Sequence, residues 1–187
     1  IFVAGGYERG NWCSSKAFYS YNPNIQQWVE LSMMNEARVS FSLVSTNNGI
    51  YAIAGIDHIV SNNIDREIIL HSVEFYNPID NVWSFSAPLT HGCYNMSAVS
   101  NNDHLYMSGG ISDDPQHSVP INNFYTKSIH SGDWRELAPL NVGRHSHVMI
   151  FKNENLFVLG GFMESEAAMG FNDCHQTEMY DLETNQW

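Results

Sequence analysis

Tryptophan and glycine recur along this chain at intervals that constrain its fold more than any other feature. Three tryptophans are each followed 27 residues later by a glycine that ends a short apolar run, at the pairs Trp28–Gly55, Trp83–Gly110 and Trp134–Gly161. From each such glycine to the next tryptophan the interval varies, with values of 28, 24 and 26 residues, and from the equivalent Gly6 to Trp28 it is 22. Packed strands and tight turns require a constant length, whereas surface loops tolerate insertions. One half of each unit is therefore scaffold, and the other half carries variable loops.

The composition is that of a folded, acidic chain. Hydrophobic residues make up 43% of its 187 residues, which is enough to bury a core. Lys and Arg number 8 against 20 Asp and Glu, and the formal net charge is -12. Nucleic acids and anionic membranes bind clustered cations, so this balance argues against either as a partner. The chain opens within a strand pattern and without Met, and we expect it to be a fragment of a longer protein.

The cysteines argue against a metal site built on Cys-x-x-Cys. Cys13, Cys93 and Cys174 are irregularly spaced, and their odd, low number fits free thiols in a reducing compartment. A disulfide between Cys13 and Cys174 would need an oxidising setting. We therefore expect a cytoplasmic protein.

Each unit of about 50 residues predicts four short strands. Val39–Val44 alternates apolar and polar residues, and Asn47-Asn48-Gly49 favours a hairpin turn because Asn-Gly accepts positive φ. The stretch Asp57–Leu70, which carries Asp65-Arg66-Glu67, is predicted as a long loop. No window has a sustained period of 3.6 residues, so the chain is predicted to be all-β. Its fixed period with Gly-Gly, Tyr and Trp favours a propeller.

The third unit predicts a longer turn before its tryptophan. Tyr125 and Trp134 are 9 residues apart, whereas the equivalent Tyr–Trp interval is 7 in the other three units. The turn is predicted at Thr126–Asp133.

The pattern resembles the kelch repeat along essentially the whole chain. Its marks are an Arg that opens the first strand (Arg38, Arg144), a Gly doublet that ends the second, Glu-x-Tyr in the third and a Trp that opens the fourth. Four positions depart from it: Cys93 replaces Arg, Ala54 replaces Gly, and Tyr19 and Asn123 replace Glu. The predicted structural landmarks are Gly5, Gly6, Gly55, Gly109, Gly110, Gly160, Gly161, Tyr21, Tyr76, Tyr180, Trp28, Trp83, Trp134 and Trp187.

The resemblance implies a partial β-propeller of four-stranded antiparallel blades, from a larger ring. Residues 38–92 and 93–143 are predicted to be whole blades. Residues 1–37 are predicted to lack a first strand, and residues 144–187 most of a fourth strand. The recurring Trp and Tyr are expected to pack between neighbouring blades, since one occurs in each unit.

One face of this propeller is the predicted partner-binding surface. Strand one starts where strand two ends, so the loops after each Trp strand and after each Gly doublet emerge together. Variable loops on a rigid scaffold commonly carry recognition. The candidate binding residues are Arg38, Asp65, Arg66, Tyr94, Asp113, Asp114, His117, Arg144, His145, Glu164 and Phe171. For Arg38 and Arg144 two interpretations stay open, a partner contact or a structural bond to the blade backbone.

Catalytic and metal chemistry find little support in the sequence. His145 and His147 are predicted to share one face of a strand, and such a pair could bind a metal. The equivalent positions of other units hold Val39 and Phe41, which favours packing or channel lining. No cofactor is expected, and no catalytic residues are assigned.

The resemblance to kelch-like proteins implies a non-enzymatic recognition module. Such proteins carry a BTB domain upstream and recruit protein substrates to a cullin-RING ubiquitin ligase, with the repeat Arg positions contacting acids. An actin-binding, cytoskeleton-associated propeller is the alternative. Some kelch-like propellers are secreted copper oxidases, and an enzyme of that type is the third hypothesis.

Overall fold

The computed structural model of the chain describes residues 1–61, 64–113, 119–130, 132–165 and 170–187. Every regular secondary-structure element within these ranges is a β-strand, as predicted. Four antiparallel sheets follow one another along the chain, each built from strands in sequence order. No helix in the described residues is long and apolar enough to cross a membrane.

Each sheet lies within one of the four predicted segments. The first contains β1 (Phe2–Ala4), β2 (Phe18–Asn22) and β3 (Gln27–Glu30). The second contains β4 (Ser42–Ser45), β5 (Ile50–Ile53), β8 (Val73–Asn77) and β9 (Val82–Ser86). The third contains β11 (Ser97–Ser100), β12 (His104–Ser108), β14 (Phe124–Ser128) and β15 (Arg135–Glu136). The fourth contains β16 (Val148–Lys152), β17 (Asn155–Leu159) and β20 (Thr177–Tyr180).

Three small two-stranded ribbons stand outside these sheets. They pair β6 (Ile56–Ser61) with β7 (Ile64–Ile69), β10 (Cys93–Tyr94) with β13 (Ile111–Ser112), and β18 (Phe162–Glu164) with β19 (Phe171–Asp173). The prediction of a loop over residues 57–70 was therefore wrong. Apolar and polar residues do not alternate along the two strands of this ribbon, so the sequence lacks the period-2 pattern that reveals a half-buried strand.

In the second, third and fourth sheets, the first strand begins later than its alternation predicts. The predicted strands 39–44, 94–100 and 145–151 are interrupted at Ser40, Asn95 and Ser146, with φ values of 54°, 55° and 52°. These left-handed residues break the extended backbone. His145 and His147 consequently precede β16 and do not share a strand face, which corrects the prediction.

In the first three sheets, the second residue of the Gly-Gly or Ala-Gly pair connects one sheet to the next. The amide nitrogens of Gly6, Gly55 and Gly110 donate to the carbonyl oxygens of Arg38, Cys93 and Arg144, each at 2.9 Å. The first glycine makes room for this approach, because a Cβ at Gly109 would lie 2.3 Å from the Arg144 carbonyl oxygen. The glycine landmarks thus position neighbouring sheets against each other.

Aromatic rings fill the space between adjacent sheets. Phe18 of the first sheet packs edge-on against Tyr76 and Trp83 of the second, with ring centroids 4.8 and 5.1 Å apart. Phe124 of the third sheet meets Tyr180 and Trp187 in the same way, at 4.8 and 5.0 Å. The expectation that the Trp and Tyr positions pack between blades is confirmed at these two junctions.

The register of the third sheet corrects the sequence alignment. Leu105 pairs with Lys127, whereas the equivalent residues Ile50 and Leu156 pair with Tyr76 and Tyr180. Lys127 therefore occupies the Tyr position, and Tyr125 occupies the Glu position that the alignment gave to Asn123. From Lys127 to Trp134 the interval is 7 residues, as in the other units. The prediction of a longer turn was wrong.

Candidate partner-binding face

The loops that follow the second and fourth strands of each sheet meet at one face, as the topology predicts. Val39, before β4, exchanges backbone hydrogen bonds of 2.9 Å with Ile56, just after β5. His145 does the same with Phe162 in the fourth sheet, and β10 pairs with β13 in the third. We call this surface the loop face.

Beneath the loop face, Arg38 is a buried structural residue. It is fully buried, and its guanidinium Nη2 lies 3.0 Å from Oε1 of the equally buried Glu74. Its Nη1 donates to the carbonyl oxygens of Ala54 and Ser72 at 2.8 and 3.1 Å. The Glu74 carboxylate also accepts from the amide of Asn35 at 2.7 Å. The pair therefore joins the loop before β4 to the ends of β5 and β8.

Arg144 repeats this arrangement in the fourth sheet. It is also fully buried, and its Nη2 lies 2.6 Å from Glu178. Its Nη1 donates to the carbonyl oxygens of Gly160 and Gln176 at 3.1 and 2.7 Å. Both guanidinium groups are occupied and out of reach of a partner. Of the two interpretations left open by the sequence, the structure supports the structural one for Arg38 and Arg144.

The third sheet replaces the ion pair with apolar packing. Cys93 stands at the Arg position and is 3% exposed, and Tyr125 stands at the Glu position. Both belong to one hydrophobic cluster together with Ala54, which replaces the first glycine. Burial raises the pKa of the Cys93 thiol to about 12, with the Asp113 carboxylate acting in the same direction. Arg and Glu are therefore replaced together in this sheet, because the loss of Arg alone would leave a buried Glu without its ion-pair partner.

The two histidines near β16 are buried. His147 Nε2 lies 2.9 Å from Ser108 Oγ, and burial lowers the pKa of His147 to about 3. His145 is 7% exposed and packs against Phe171 and Phe162, with ring centroids 4.5 and 5.5 Å away. The prediction that His145 contacts a partner is therefore wrong. His145 is buried and packs beneath these two rings. No cluster of three or more His, Cys, Asp or Glu that could hold a metal occurs in the described part of the chain.

The remaining predicted residues that the structure describes lie at the loop face, with side chains wholly or partly open to solvent. Asp65 is 77% exposed, and Arg66 follows it on β7. Tyr94 is half-buried, and its phenol pKa is raised by burial and by Glu67. The Asp113 carboxylate accepts from the amide of Gly92 at 3.0 Å. Asp114 and His117 lie outside the described residues.

Glu164 and Phe171 belong to the β18–β19 ribbon, where they form a cross-strand pair. Phe171 is 46% exposed. Glu164 lines an open depression of about 1070 Å³ between the third and fourth sheets, which is bounded by Pro120, Asn141, Val142, Gly143, Met163, Ser165, Asn172 and Gln176.

Three aromatic residues of the loop face were not among the predicted site residues. Tyr7 lies 5.8 Å from both Trp12 and His58, ring centroid to ring centroid, and meets both edge-on. Trp12 is 69% exposed and Tyr7 48%. Large exposed aromatic side chains within a variable loop were the available signal, since such residues commonly anchor protein interfaces. Fold and face together define a β-propeller whose variable loops emerge on one face.

Comparisons with known proteins identify which kind of propeller this is. Residues 37–90 match the Kelch motif family. Kelch-like protein 36 of Bos taurus is 30% identical over 195 residues, which include all of this chain and 29% of that protein. Kelch-like protein 15 of Danio rerio is 27% identical over 201 residues, which include all of this chain and 32% of that protein. The chain thus spans less than a third of the length of these curated relatives.

The solved structures agree on the fold. The structure of YjhT matches with a TM-score of 0.80 at 13% identity, over 97% of this chain and 65% of that one. The chain is therefore a kelch-repeat β-propeller related to the kelch-like proteins.

Proposed function

We propose that this chain is a non-catalytic recognition module, the substrate-binding propeller of a kelch-like adaptor for a cullin-RING ubiquitin ligase. The observation that carries the proposal is the division of labour in each blade. Arg–Glu pairs fasten the strand ends within two of the sheets and glycine contacts join neighbouring sheets, while the variable loops carry exposed aromatic and charged side chains. The similarity to Kelch-like proteins 36 and 15 supports the adaptor role, because it covers the whole chain.

The cullin scaffold would be bound through a domain outside this chain, and the loop face would bind the protein substrate. The three free cysteines suit a cytoplasmic setting, which we propose for the protein. An actin-binding, cytoskeleton-associated propeller is the alternative function.

Quantitative affinity purification of the tagged full-length protein tests the proposal. The wild type is compared with a variant in which residues 7–16 are replaced by a Gly-Ser linker of equal length. We expect cullin with both proteins, and loss of one or more substrates with the variant only. Retrieval of actin without cullin would favour the cytoskeletal alternative, and absence of both would overturn the adaptor role.

A further inference from the structure

The loop face contains an aromatic–acidic patch, which we define as Tyr7, Trp12, His58, Asp65 and Glu67. The Tyr7 ring contacts both Trp12 and His58. His58 Nε2 lies 2.6 Å from Asp65 Oδ1, and His58 is the cross-strand partner of Glu67. The patch is therefore one continuous surface, although its two parts are about 50 residues apart in sequence.

Several bonds hold the two parts of the patch together. The amide of Ser14 donates to the carbonyl oxygen of His58 at 2.9 Å, and the amide of His58 donates to Ser14 Oγ at 3.0 Å. Ser14 Oγ also donates to the Asp57 carboxylate. Cys13 Sγ accepts from the amide of Val60 at 3.4 Å. The loop that carries Tyr7 and Trp12 is thus fastened to the β6–β7 ribbon, and the aromatic rings are presented in a defined position.

The charge of the patch is negative. Adjacent residues of a strand point to opposite faces, so Asp65 and Glu67 share one face of the ribbon while Arg66 lies on the other, paired with Ile59. Within the loop, the exposed Arg9 is offset by its neighbour Glu8. Arg38 and Arg144, the positions implied to contact acids, are buried in ion pairs. At these two positions the loop face therefore offers no free cation, and the patch presents carboxylates beside aromatic rings.

We propose that the aromatic–acidic patch binds a basic segment of the partner protein, whose Arg or Lys stacks on Tyr7 and Trp12 and pairs with Asp65 and Glu67. Guanidinium and ammonium groups are attracted to the faces of Trp and Tyr rings. Carboxylates accept charge-assisted hydrogen bonds from the same groups. The net charge of -12 would also accelerate the encounter with a basic partner. This inference rests on the proposed recognition function and adds the chemical class of the ligand.

Fluorescence anisotropy with two labelled peptides tests the inference on the full-length protein. The probes are Gly-Arg-Gly-Arg-Gly-Arg-Gly and the same peptide with Glu in place of Arg, at about pH 8, which is above the ordinary pKa of imidazole. The hydrogen bond to Asp65 raises the pKa of His58 within the patch. The variants are Trp12→Ala and the double variant Asp65→Asn/Glu67→Gln. Asp103→Asn/Glu154→Gln is the matched control, because it removes the same charge from exposed turns at the opposite ends of the sheets.

We expect the Arg peptide to bind and the Glu peptide not to bind. Trp12→Ala and Asp65→Asn/Glu67→Gln should each weaken binding by about tenfold, and the control should leave it unchanged. Equal losses in the patch and control double variants would show attraction to net charge alone and overturn the inference, as would preference for the Glu peptide. If cullin and a substrate co-purify but the substrate is retained by both patch variants, the inference fails while the adaptor role stands. Absence of cullin from the affinity purification would overturn the adaptor role, and the peptide-binding result would stand independently of it.

Discussion

At the scale of single residues, two fully buried arginines show how this propeller uses charge. Arg38 and Arg144 each bond a Glu of the third strand and backbone carbonyls at the ends of two strands. A buried ion pair contributes little over apolar packing, but removing one partner leaves an uncompensated buried charge. The third sheet makes the same junction with Cys93 and Tyr125, so the fold needs a matched pair and accepts more than one chemistry.

Arg38→Ala is expected to destabilise the full-length protein by about 3–5 kcal/mol, because it leaves Glu74 buried and unpaired. Arg38→Cys/Glu74→Tyr copies the pair found in the third sheet and should recover a large part of this loss. Thermal melts compare both variants with Arg66→Ala, which removes an exposed Arg and should leave the melting temperature unchanged. An Arg38→Ala protein that melts like the wild type would show that the pair is dispensable.

The second residue of interest is His147, which is held neutral inside the fold. Burial lowers its pKa to about 3, and Arg144 and His145 act in the same direction. A His in the unfolded chain has a pKa of about 6.5. Between these two values the unfolded chain binds a proton that the folded chain does not, so stability falls as the pH drops through this window. Within this window, each unit by which the pH falls lowers the free energy of unfolding by up to about 1.4 kcal/mol.

The equivalent contact between the first two sheets suggests a variant that removes this titration. Phe41 and Ala4 stand there in the positions of His147 and Ser108. We expect Ser108→Ala/His147→Phe to melt like the wild type near neutral pH and to lose less stability between about pH 6.5 and 5. Chemical denaturation across this range measures the slopes. His130→Phe alters an exposed His and should keep the wild-type slope; the same slope in the double variant would remove His147 as its cause.

At the scale of the element, a contact between residues five apart closes the hairpin between the last two strands in three of the sheets, with two kinds of side chain as the donor. In the second and fourth sheets, a buried Tyr donates from its hydroxyl to an Asn five residues later, at Tyr76–Asn81 and Tyr180–Asn185. In the third sheet, Lys127 Nζ donates to the carbonyl oxygen of Gly132, also five residues later, at 2.7 Å. Burial lowers the pKa of Lys127, so its charged form is disfavoured there.

Lys127→Tyr/Gly132→Asn is therefore expected to raise the melting temperature, with a gain of about 1 kcal/mol. Asn is compatible with the turn, because Gly132 has a φ of 91° while Asn81 and Asn185 adopt 53° and 56° in the same place. Differential scanning calorimetry of the double variant provides the measurement. Lys127→Tyr alone is the control and should gain less, since its hydroxyl lacks the Asn acceptor. A double variant that melts below the wild type would contradict the equivalence of the three turns.

At the scale of the whole molecule, the tryptophans hold consecutive sheets together. Trp83, Trp134 and Trp187 donate from Nε1 to the carbonyl oxygens of Ser32, Ala87 and Ala138, at 2.9, 3.1 and 2.8 Å. Each acceptor lies in the connection that leads into the sheet of the donating Trp. Because the contact recurs at each of these junctions, sheet order and spacing are set by the same few side chains.

Trp83→Ala is expected to lower the free energy of unfolding by about 3–5 kcal/mol, because it removes a ring that is 5% exposed and packs against Phe18 and Tyr76. Urea denaturation of the full-length protein measures the loss. Trp12→Ala removes a Trp that is 69% exposed and should leave the midpoint where it is. Equal midpoints for the two variants would mean that Trp83 does not hold the sheets together.

Much of the architecture could be predicted from the sequence, whereas little of the site could. The strands that carry glycine and tryptophan landmarks were placed within a few residues, because those side chains meet a backbone requirement at every junction. The β6–β7 ribbon was missed, since its pairing buries too little apolar surface to leave a pattern. Lys127 was misaligned because Tyr125, two residues earlier, imitates the expected aromatic position, and only the pairing with Leu105 shows the true register.

The sequence alone determined that this chain is a series of β-sheets joined as propeller blades, because glycine and tryptophan requirements recur at a constant covalent interval. Only the tertiary structure decided what the charged residues do. Arg38 and Glu74 are 36 residues apart, and their burial against each other depends on how three strands end together. Trp12 and Asp65 reach one surface for the same reason, since the loop of one sheet docks on the ribbon of the next. The scaffold therefore follows from residue spacing along the chain, whereas the proposed binding patch depends on contacts between residues that are distant in sequence.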